Sequence, residues 1–374
     1  MIKKKRLLNT FLKLVKIDSL SLREGEVAAL VKKELRKMGL RAREDDCFRM
    51  IDGEAGNIHA VVKGNVRRAP RLLLNAHLDT VSPGEGIVPV IRRGYVLSGG
   101  TTVLGADNKA GVAVILEVAR SLKEELTPHG DILILFTVAE EIGLFGAKNI
   151  SRKALGADYG LTLDGGDVSE IINQAPSQYN IEAQVFGKAA HAGVHPEDGI
   201  NAIQVASSAI AKMRLGRIDN ETTSNIGIIK GGVATNIIPD KVELKGEARS
   251  HDPKKLKAQI QHMQRALASS CRKFKARMKL RVTSSYNSFV LDQGHPLLKL
   301  VLKAASAMKI KPVIKKTGGG FDANIFNAMG VPTLIIGTGA ERIHTTQERV
   351  CIDDMVLSAK FVLGIIKEVS NVKK

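Results

Sequence analysis

Residues 72–79, Leu72-Leu73-Leu74-Asn75-Ala76-His77-Leu78-Asp79, join an apolar run to an imidazole and a carboxylate. Three consecutive leucines predict a buried strand, because a strand covered on both faces has few polar positions. His77 and Asp79 would then lie at its carboxyl end. In an open parallel α/β sheet, ligands bind beyond the carboxyl ends of the strands. This stretch therefore predicts the class of fold and the place of a site.

The same order, a short apolar run followed by a polar side chain, recurs along the chain. Strands are predicted over 132–138, 159–163 and 331–336, and an amphipathic helix over 109–122. Because the carboxyl ends of parallel strands meet at one edge of a sheet, the side chains at these ends should converge. Besides His77, the candidate metal ligands at these positions are Asp107, Glu141, Asp164 and His344, with Glu140 beside Glu141.

The alternation of strands and helices predicts an α/β fold with a mostly parallel sheet. From 176 to 286 the order changes to strand, helix, strand, strand, helix, strand, which is typical of a ferredoxin-like α+β unit. We therefore predict a discontinuous catalytic di-metal domain, 1–175 and 287–374, and an inserted lid or dimerisation domain, 176–286. A helix is expected over 198–213 of the inserted domain. Near the N-terminus, Ser21-Leu22-Arg23-Glu24 fits a capping box for a helix ending near Gly39.

Composition limits the class of protein. A length of 374 residues favours two domains. Cys47, Cys271 and Cys351 are widely spaced, which argues against a thiolate metal site or a disulfide framework. No segment is apolar enough to span a membrane, and we expect a cytoplasmic protein. The net charge of +18 admits an anionic partner, but the basic residues are scattered and Trp is absent, which argues against nucleic acid as a partner.

The candidate ligands are chemically consistent with one another. Imidazole and carboxylate ligands without thiolate suit two divalent ions, zinc first and cobalt or manganese as alternatives. Two such ions can share one carboxylate. Asp79, two residues after His77, can hydrogen-bond the second imidazole nitrogen. Of the adjacent Glu140 and Glu141, one can bind an ion while the other acts as general base.

Four motifs carry a resemblance to a known family. They are His77-Leu78-Asp79-Thr80-Val81, Leu104-Gly105-Ala106-Asp107-Asn108-Lys109-Ala110-Gly111, Glu140-Glu141-Ile142-Gly143 and Gly318-Gly319-Gly320-Phe321-Asp322-Ala323-Asn324. Together they resemble the di-zinc exopeptidase family of peptidase T, the tripeptide aminopeptidase, which is related to carboxypeptidase G and acetylornithine deacetylase. The resemblance extends over residues 7–366. Asp-Gly-Gly at 164–166 and the triple glycine are closer to peptidase T than to the deacylases.

The resemblance implies the ligand sets. His77, Asp107 and Asp164 would bind one ion, and Asp107, Glu141 and His344 would bind the other, so that Asp107 bridges them. It also implies a homodimer formed through the lid domain and, in many members, a cis Asp107–Asn108 peptide bond.

The remaining roles are likewise implied by the resemblance. Glu140 would be the general base, Asp79 the group that orients a ligand, and His191 the donor that stabilises the oxyanion, in many members from the partner subunit. Asn236 and Arg249 would hold the substrate backbone and its carboxylate. Gly319 and Gly320 would let a peptide approach the main chain closely.

Simpler interpretations remain open for single residues. Asp107 fits a helix cap, Asp164 a turn residue, and the pair Glu140 and Glu141 an exposed acidic end of a strand. His195 is an alternative to His191. Lys245 and Arg217 are alternatives to Arg249.

The predicted function is metal-dependent hydrolysis of short peptides with release of the N-terminal residue. One alternative is a deacylase or carboxypeptidase that acts on N-acyl amino acids. An alternative of another class is a non-catalytic, basic, nucleic-acid-binding protein on the same fold.

Overall fold

The structure, a computed structural model, describes residues 1–125 and 127–372. Positions 126, 373 and 374, the last two of which end the predicted catalytic domain, lie outside the described residues. The chain forms two compact units. Unit 1 comprises Met1–Asn173, Val290–Lys316 and Phe321–Lys374, and unit 2 comprises Gln174–Phe289 and Thr317–Gly320. The segment Thr317–Gly320 thus groups with unit 2, whereas the sequence interpretation put it in the larger domain.

The strands form three sheets. In chain order they are β1 Arg43–Glu44, β2 Ile58–Val62, β3 Leu72–His77, β4 Val90–Arg92, β5 Tyr95–Leu97, β6 Ile132–Thr137, β7 Tyr159–Gly165, β8 Glu170–Ala175, β9 Ser177–Phe186, β10 Gly216–Arg217, β11 Thr222–Gly231, β12 Lys241–Ser250, β13 Arg277–Tyr286, β14 Phe289–Val290, β15 Val313–Lys316, β16 Thr333–Gly337, β17 Ala340–Glu341 and β18 Arg349–Cys351.

The helices lie mainly in unit 1. In chain order they are α1 Lys4–Val15, α2 Gly25–Lys37, α3 Phe48–Ile51, α4 Ala106–Glu125, α5 Phe145–Lys148, α6 Arg152–Leu155, α7 Ala202–Ile210, α8 Pro253–Lys273, α9 Pro296–Ala307, α10 Asp322–Ala328 and α11 Ile352–Ser370, with a 3₁₀ turn at Pro196–Asp198.

The main sheet has the order β1-β2-β6-β3-β7-β16-β8-β14, with β15 paired to β8. Its centre, β6-β3-β7-β16, is parallel, and β2 and β8 pair with this centre in the antiparallel direction. Every residue of β3, β6 and β16 is buried, as expected for parallel strands that read as continuous apolar runs. The predicted α/β class with a mostly parallel sheet is confirmed.

Helix α4 brings the site and the core together. It packs against β3 and β7 and also contacts α1 and α11. Its first turn is irregular, because Asp107 and Asn108 have non-helical backbone angles and are joined by a cis peptide bond. A small sheet in the order β17-β18-β5-β4 completes the strands of unit 1.

The predicted capping box before α2 is wrong. Helix α2 begins at Gly25 with Glu24 as its N-cap residue, and neither Ser21 nor Glu24 caps it through a side chain. The Ser21 hydroxyl instead donates to Asp79, 2.6 Å away, and the Glu24 carboxylate accepts from the backbone N–H of Ala139. Both side chains therefore make long-range contacts, which outweigh the local capping pattern.

Unit 2 is an antiparallel sheet in the order β10-β11-β12-β9-β13, covered by α7 and α8. Apart from the short β10, this is the strand order of the expected ferredoxin-like unit. The helix predicted over 198–213 is shorter than expected. It begins at Ala202 after Asn201, whose side chain accepts from Gln204 N–H, while Ile200 pairs with Lys188 as an isolated bridge.

None of the helices in the described ranges 1–125 and 127–372 has the length and apolarity needed to cross a membrane.

Candidate metal centre and active site

Asp107 lies between two histidines. Its Oδ1 is 3.1 Å from Nε2 of His77, at the carboxyl end of β3, and its Oδ2 is 3.3 Å from Nε2 of His344. The carboxylate therefore presents one oxygen to each imidazole. A carboxylate placed in this way can bridge two ions, each of which also binds one of the histidines.

Asp164 and Glu141 complete the two sides of this cluster. Oδ1 of Asp164, in β7, lies 3.6 Å from Nε2 of His77, and Oε1 of Glu141, after β6, lies 3.0 Å from Nε2 of His344. One ligand atom each from His77, Asp107 and Glu141 lie within 4.8 Å of one another. The structure thus brings together the five side chains predicted from sequence as ligands.

The electrostatics of the cluster suit cations. Burial would lower the pKa of His77, but the surrounding carboxylates, with Asp164 first, hold it well above its usual value. Hydrogen bonds to Asp107 and Glu141 raise the pKa of His344 to about 10. Burial and the neighbouring Asp107 raise the pKa of Asp164. The described ion pairs join these carboxylates to histidine only, so positive charge is what the group requires.

The donor set decides which kind of cation fits. Two imidazoles and three carboxylates, with no thiolate among them, match zinc, cobalt or manganese better than the oxygen-only cages of calcium. The residues present therefore fit two divalent ions.

Glu140 adjoins the ligands and is 8% exposed. Burial raises its pKa well above the usual carboxyl value, and the nearby Asp164, Asp322 and Glu141 add to this effect, while His77 opposes it. A carboxylate with raised proton affinity beside a metal cluster is suited to take up and return a proton.

Side-chain oxygens hold the loop that carries Glu140 and Glu141. The Asp79 carboxylate accepts from the backbone N–H of Glu140 at 3.0 Å and of Glu141 at 3.1 Å. The preceding N–H of Ala139 donates to Glu24 at 2.9 Å. Ala139 has φ of +50°, a conformation that non-glycine residues rarely adopt. The loop is therefore fixed by buried acceptors rather than by its own conformational preference.

Asp79 has a second contact, with His77. The imidazole Nδ1 lies 3.0 Å from the main-chain carbonyl of Asp79 and 3.4 Å from its carboxylate. The nearest acceptor for this nitrogen is thus the carbonyl, while the carboxylate also serves the glutamate loop and Ser21. Asp79 orients residues on two strand ends at once.

Sequence reasoning did not single out several buried acids near the cluster, among them Glu24 and Asp322. Glu24 is 0% exposed, and burial with the nearby Asp79 raises its pKa to about 7. Asp322, at the start of α10, is 1% exposed and hydrogen-bonds Thr137 and Asn75; burial raises its pKa to about 6. Asp322 could have been found from its place in the Gly318–Asn324 motif. For Glu24 the local sequence indicated a capping box instead.

In unit 2, His191 and Asn236 are neighbours. Backbone N–H of Ala192 donates to the carbonyl of Asn236 at 2.9 Å, and His191 pairs with Ile237 as a bridge. Both side chains are exposed. Nδ1 of His191 accepts from Gly193 N–H at 3.1 Å, so its Nε2 is the nitrogen that faces outward from this contact.

Arg249, on β12, is held by a neighbour. Its Nε and Nη2 donate to the two carboxylate oxygens of Glu247 at 2.8 and 2.9 Å, and Nη1 lies 3.3 Å from the carbonyl of Gly318. A ligand carboxylate would therefore meet the Nη1 side of the guanidinium or displace Glu247. Of the two alternatives, Arg217 is exposed on β10 and Lys245 lines a different surface with Glu182 and Arg281.

The glycine run has a structural explanation at one position. A Cβ on Gly320 would lie 2.1 Å from the ring of Tyr286, so a side chain is excluded there by packing within unit 2. Gly318 has no atom within 4 Å of such a Cβ, and Gly319 N–H donates to Thr317. Packing against Tyr286 is sufficient to explain the glycine at position 320. That a peptide approaches the main chain closely at Gly319 remains a prediction.

A family model described as peptidase family M20/M25/M40 matches residues 73–368. The chain belongs to this family. The match includes every proposed metal ligand as well as all of unit 2. Membership, together with the similarity to an aminopeptidase and a tripeptidase described next, supports metal-dependent peptide hydrolysis. It does not favour an N-acyl amino acid hydrolase or a nucleic-acid-binding protein.

Three similar proteins match this chain over almost its whole length. It is 42% identical to the uncharacterised protein YqjE of Bacillus subtilis strain 168, over 99% of this chain and 100% of the relative. Its sequence is 40% identical to that of aminopeptidase PepT from Bacillus cereus ATCC 10987, whose crystal structure matches with a TM-score of 0.88. That match covers 99% of this chain and 100% of the PepT chain. It is also 40% identical to a tripeptidase from Staphylococcus aureus subsp. aureus Mu50, with a TM-score of 0.93 and full coverage of both chains. The resemblance to the peptidase T family stated from the motifs is confirmed.

Proposed function

We propose that this peptidase is a two-metal aminopeptidase that releases the N-terminal residue of short peptides, tripeptides above all. The observation that supports this most is the position of Asp107, whose two oxygens each face a different histidine. The names of two similar solved structures, an aminopeptidase and a tripeptidase, support the choice of substrate.

The ligands divide into two sets around Asp107. His77 and Asp164 would join it on one ion, and Glu141 and His344 on the second. Zinc is the first choice for both ions, with cobalt or manganese as alternatives. When bound, such ions polarise a scissile carbonyl and lower the pKa of water.

The residues around the ligands supply proton transfer and orientation. Glu140 takes a proton from the attacking water and delivers it to the amine of the leaving peptide. Asp79 keeps Glu140 and Glu141 in place through their backbone N–H groups. His191 would donate a hydrogen bond to the developing oxyanion. Arg249, with Asn236, would hold the carboxyl end of the peptide.

Parallel assays of three compounds test the specificity: Ala-Ala-Ala, acetyl-Ala-Ala-Ala and N-acetylalanine. We expect hydrolysis of the free tripeptide only, with about two metal ions per chain and loss of activity on chelation. Cleavage of only the acylated compounds would contradict the aminopeptidase proposal and leave the metal centre intact. Salt-sensitive retention of nucleic acid by a Glu140→Ala variant would favour the binding function instead.

We also propose a homodimer formed through unit 2. Strand β11 is paired with β10 only at Thr223 and Ser224, so the rest of its outer edge has no strand partner in the described chain. Ile228 and Ile229, on this edge, are 43% and 49% exposed. An unpaired apolar edge of this kind is suited to pairing with a second copy.

Light scattering after size exclusion tests the dimer. We expect twice the mass of the 40.3 kDa chain, and a monomer for the variant Ile228→Lys with Ile229→Lys. If His191 acts across the dimer, the monomer should be as impaired as His191→Ala. A fully active monomeric wild type would contradict this proposal. The cytoplasmic location stays a prediction of the sequence.

A further inference from the structure

Glu348 is a buried carboxylate outside the proposed ligand set. It follows His344 by four residues and is 1% exposed. Its Oε2 accepts from the backbone N–H of Leu104 at 2.7 Å and of Gly105 at 2.8 Å. Its Oε1 accepts from the backbone N–H of Asp107 at 2.9 Å. One side chain thus binds three N–H groups of the segment that ends at the bridging aspartate.

This segment needs an acceptor from elsewhere in the fold. The first N–H groups of a helix have no partner within the helix, and α4 begins at Ala106. Asp107 and Asn108 have backbone angles outside the helical region, so regular helix bonding does not define the position of Asp107. Buried N–H groups without an acceptor are costly, and Glu348 satisfies three of them.

The main chain of Glu348 is itself anchored. Its N–H donates to the carbonyl of Thr345 at 3.1 Å, and its carbonyl accepts from Ser98 N–H at 3.0 Å. Strand β18 begins at the next residue and pairs with β5 and β17. The side chain therefore extends from a fixed point of the His344 loop to the Asp107 loop.

The backbone of the loop that carries His344 adopts unfavourable conformations at two residues. His344 has φ of +61° and Arg342 φ of +54°, conformations that cost free energy in non-glycine residues. The imidazole is 49% exposed, so packing alone does not hold it. Glu348 connects this strained loop with the turn that carries Asp107.

We propose that Glu348 is a positioning residue that sets the separation of Asp107 and His344, two of the three side chains that would bind the second ion. The inference rests on the proposed function, because it takes the ligand roles of Asp107 and His344 from it. Both carboxylate oxygens of Glu348 accept from backbone N–H groups, so its proposed action on the ligands is indirect. It acts by fixing the backbone from which one ligand extends relative to the loop that carries the other.

The variant Glu348→Gln is a direct test. Glutamine keeps the volume but offers one oxygen and one NH₂ group, so either Asp107 N–H or the pair Leu104 and Gly105 would face a donor. We expect amide hydrogen exchange of peptides covering 104–107 to become at least about tenfold faster in the metal-free protein. Residues that orient metal ligands typically contribute about 10–100-fold to metal affinity or activity, and we expect the second ion to bind more weakly by such a factor. The value of kcat should fall to a similar extent while KM changes less than about threefold.

Glu117→Gln is the matched control. Glu117 lies in α4, its side chain is 0% exposed, and it accepts from the backbone N–H of Lys3 at 2.8 Å and from Arg6. It therefore tests the loss of a buried carboxylate that binds a main-chain N–H away from the site. We expect a lower melting temperature for this variant, with two ions bound at wild-type affinity and an unchanged kcat.

The outcomes separate the inference from the proposed function. If wild-type protein binds no divalent ion, the proposed function fails whatever Glu348 does. If wild type binds two ions and Glu348→Gln does so with equal affinity, unchanged exchange at 104–107 and unchanged kcat, only the inference fails. Should Glu348→Gln not fold, Glu348→Asp, which keeps both oxygens, must fold with an intermediate loss of affinity. If neither folds while Glu117→Gln does, Glu348 serves folding rather than positioning, and the inference is overturned.

Discussion

The two units enclose most of their proposed functional side chains to different degrees, although His344 of unit 1 is 49% exposed. In unit 1, His77, Asp79 and Glu140 are each less than a tenth exposed and lie among buried acceptors. In unit 2, His191 and Asn236 are exposed side chains on loops. The difference indicates that unit 1 is organised for the reaction before a substrate arrives. Within unit 2, Arg249 is held by the Glu247 carboxylate, whereas the side chains of His191 and Asn236 lack such enclosure. Preorganised polar groups aimed at the developing charge contribute most to stabilising a transition state.

The largest expected effect comes from the proton carrier of unit 1. Glu140→Gln keeps the size of the side chain but cannot take up a proton, so kcat for Ala-Ala-Ala should fall about 10²–10⁴-fold with little change in KM. Metal content measured on the purified variant should stay at the wild-type value. Glu54→Gln, on a half-exposed side chain, serves as control and should keep full activity. If kcat of the Glu140→Gln enzyme is within tenfold of wild type, Glu140 is not the proton carrier, and unit 1 is not distinguished from unit 2 by its role in the chemical step.

His191 tests whether an exposed group of unit 2 acts in the transition state. His191→Ala should lower kcat about 10²-fold, the usual cost of removing one oxyanion donor, and leave metal content unchanged. The neighbouring exposed His195, the alternative in the sequence, supplies the control His195→Ala. Stopped-flow or steady-state rates on the same tripeptide decide between them. Loss of activity in His195→Ala alone would transfer the role to that residue.

The sequence could predict what the strand ends bring together. His77, Glu141 and Asp164 follow β3, β6 and β7 or lie at their ends, and parallel strands must place these ends at one edge. It could not predict the roles of Glu348 or Glu24. The partners of Glu348 lie 241 to 244 residues away, and Glu24 accepts from Ala139, 115 residues away, as well as from the nearby Leu22. For Glu24 the local pattern was a capping box, and only the tertiary fold shows that its carboxylate reaches Ala139.

The same limit applies to unit 2. The strand order of the unit could be predicted from alternating apolar residues, but the beginning of α7 could not, because Ile200 fits a helical apolar stripe as well as the bridge to Lys188. The carboxylate of Glu247, two residues from Arg249 on the same strand face, was equally visible in the sequence. Its bidentate contact depends on side-chain rotamers, which no periodicity encodes.

A smaller effect is expected at Arg249, where binding rather than chemistry is affected. Arg249→Met should raise KM for Ala-Ala-Ala about tenfold and leave kcat within about threefold, because a lost contact to the peptide carboxylate weakens ground and transition states alike. The tripeptide amide, which lacks that carboxylate, is the control and should be cleaved equally by both enzymes. Glu247→Gln, which frees the guanidinium, should lower KM. A decrease in kcat alone for Arg249→Met would mean that unit 2 also acts in the chemical step at this position.

The smallest effect concerns the net charge of +18. A field of this sign should attract anionic peptides, and salt should screen it. We expect kcat/KM for Ala-Glu-Glu to fall about threefold between about 20 and 300 mM ionic strength, while that for Ala-Ala-Ala amide stays constant or rises. Initial rates at low substrate concentration measure this ratio directly. Because steering acts on encounter and not on the bound complex, kcat should be independent of salt for both peptides. A salt effect on kcat of equal size would mean that ionic strength alters the metal cluster itself, and the net positive charge would then have no role in delivering substrate.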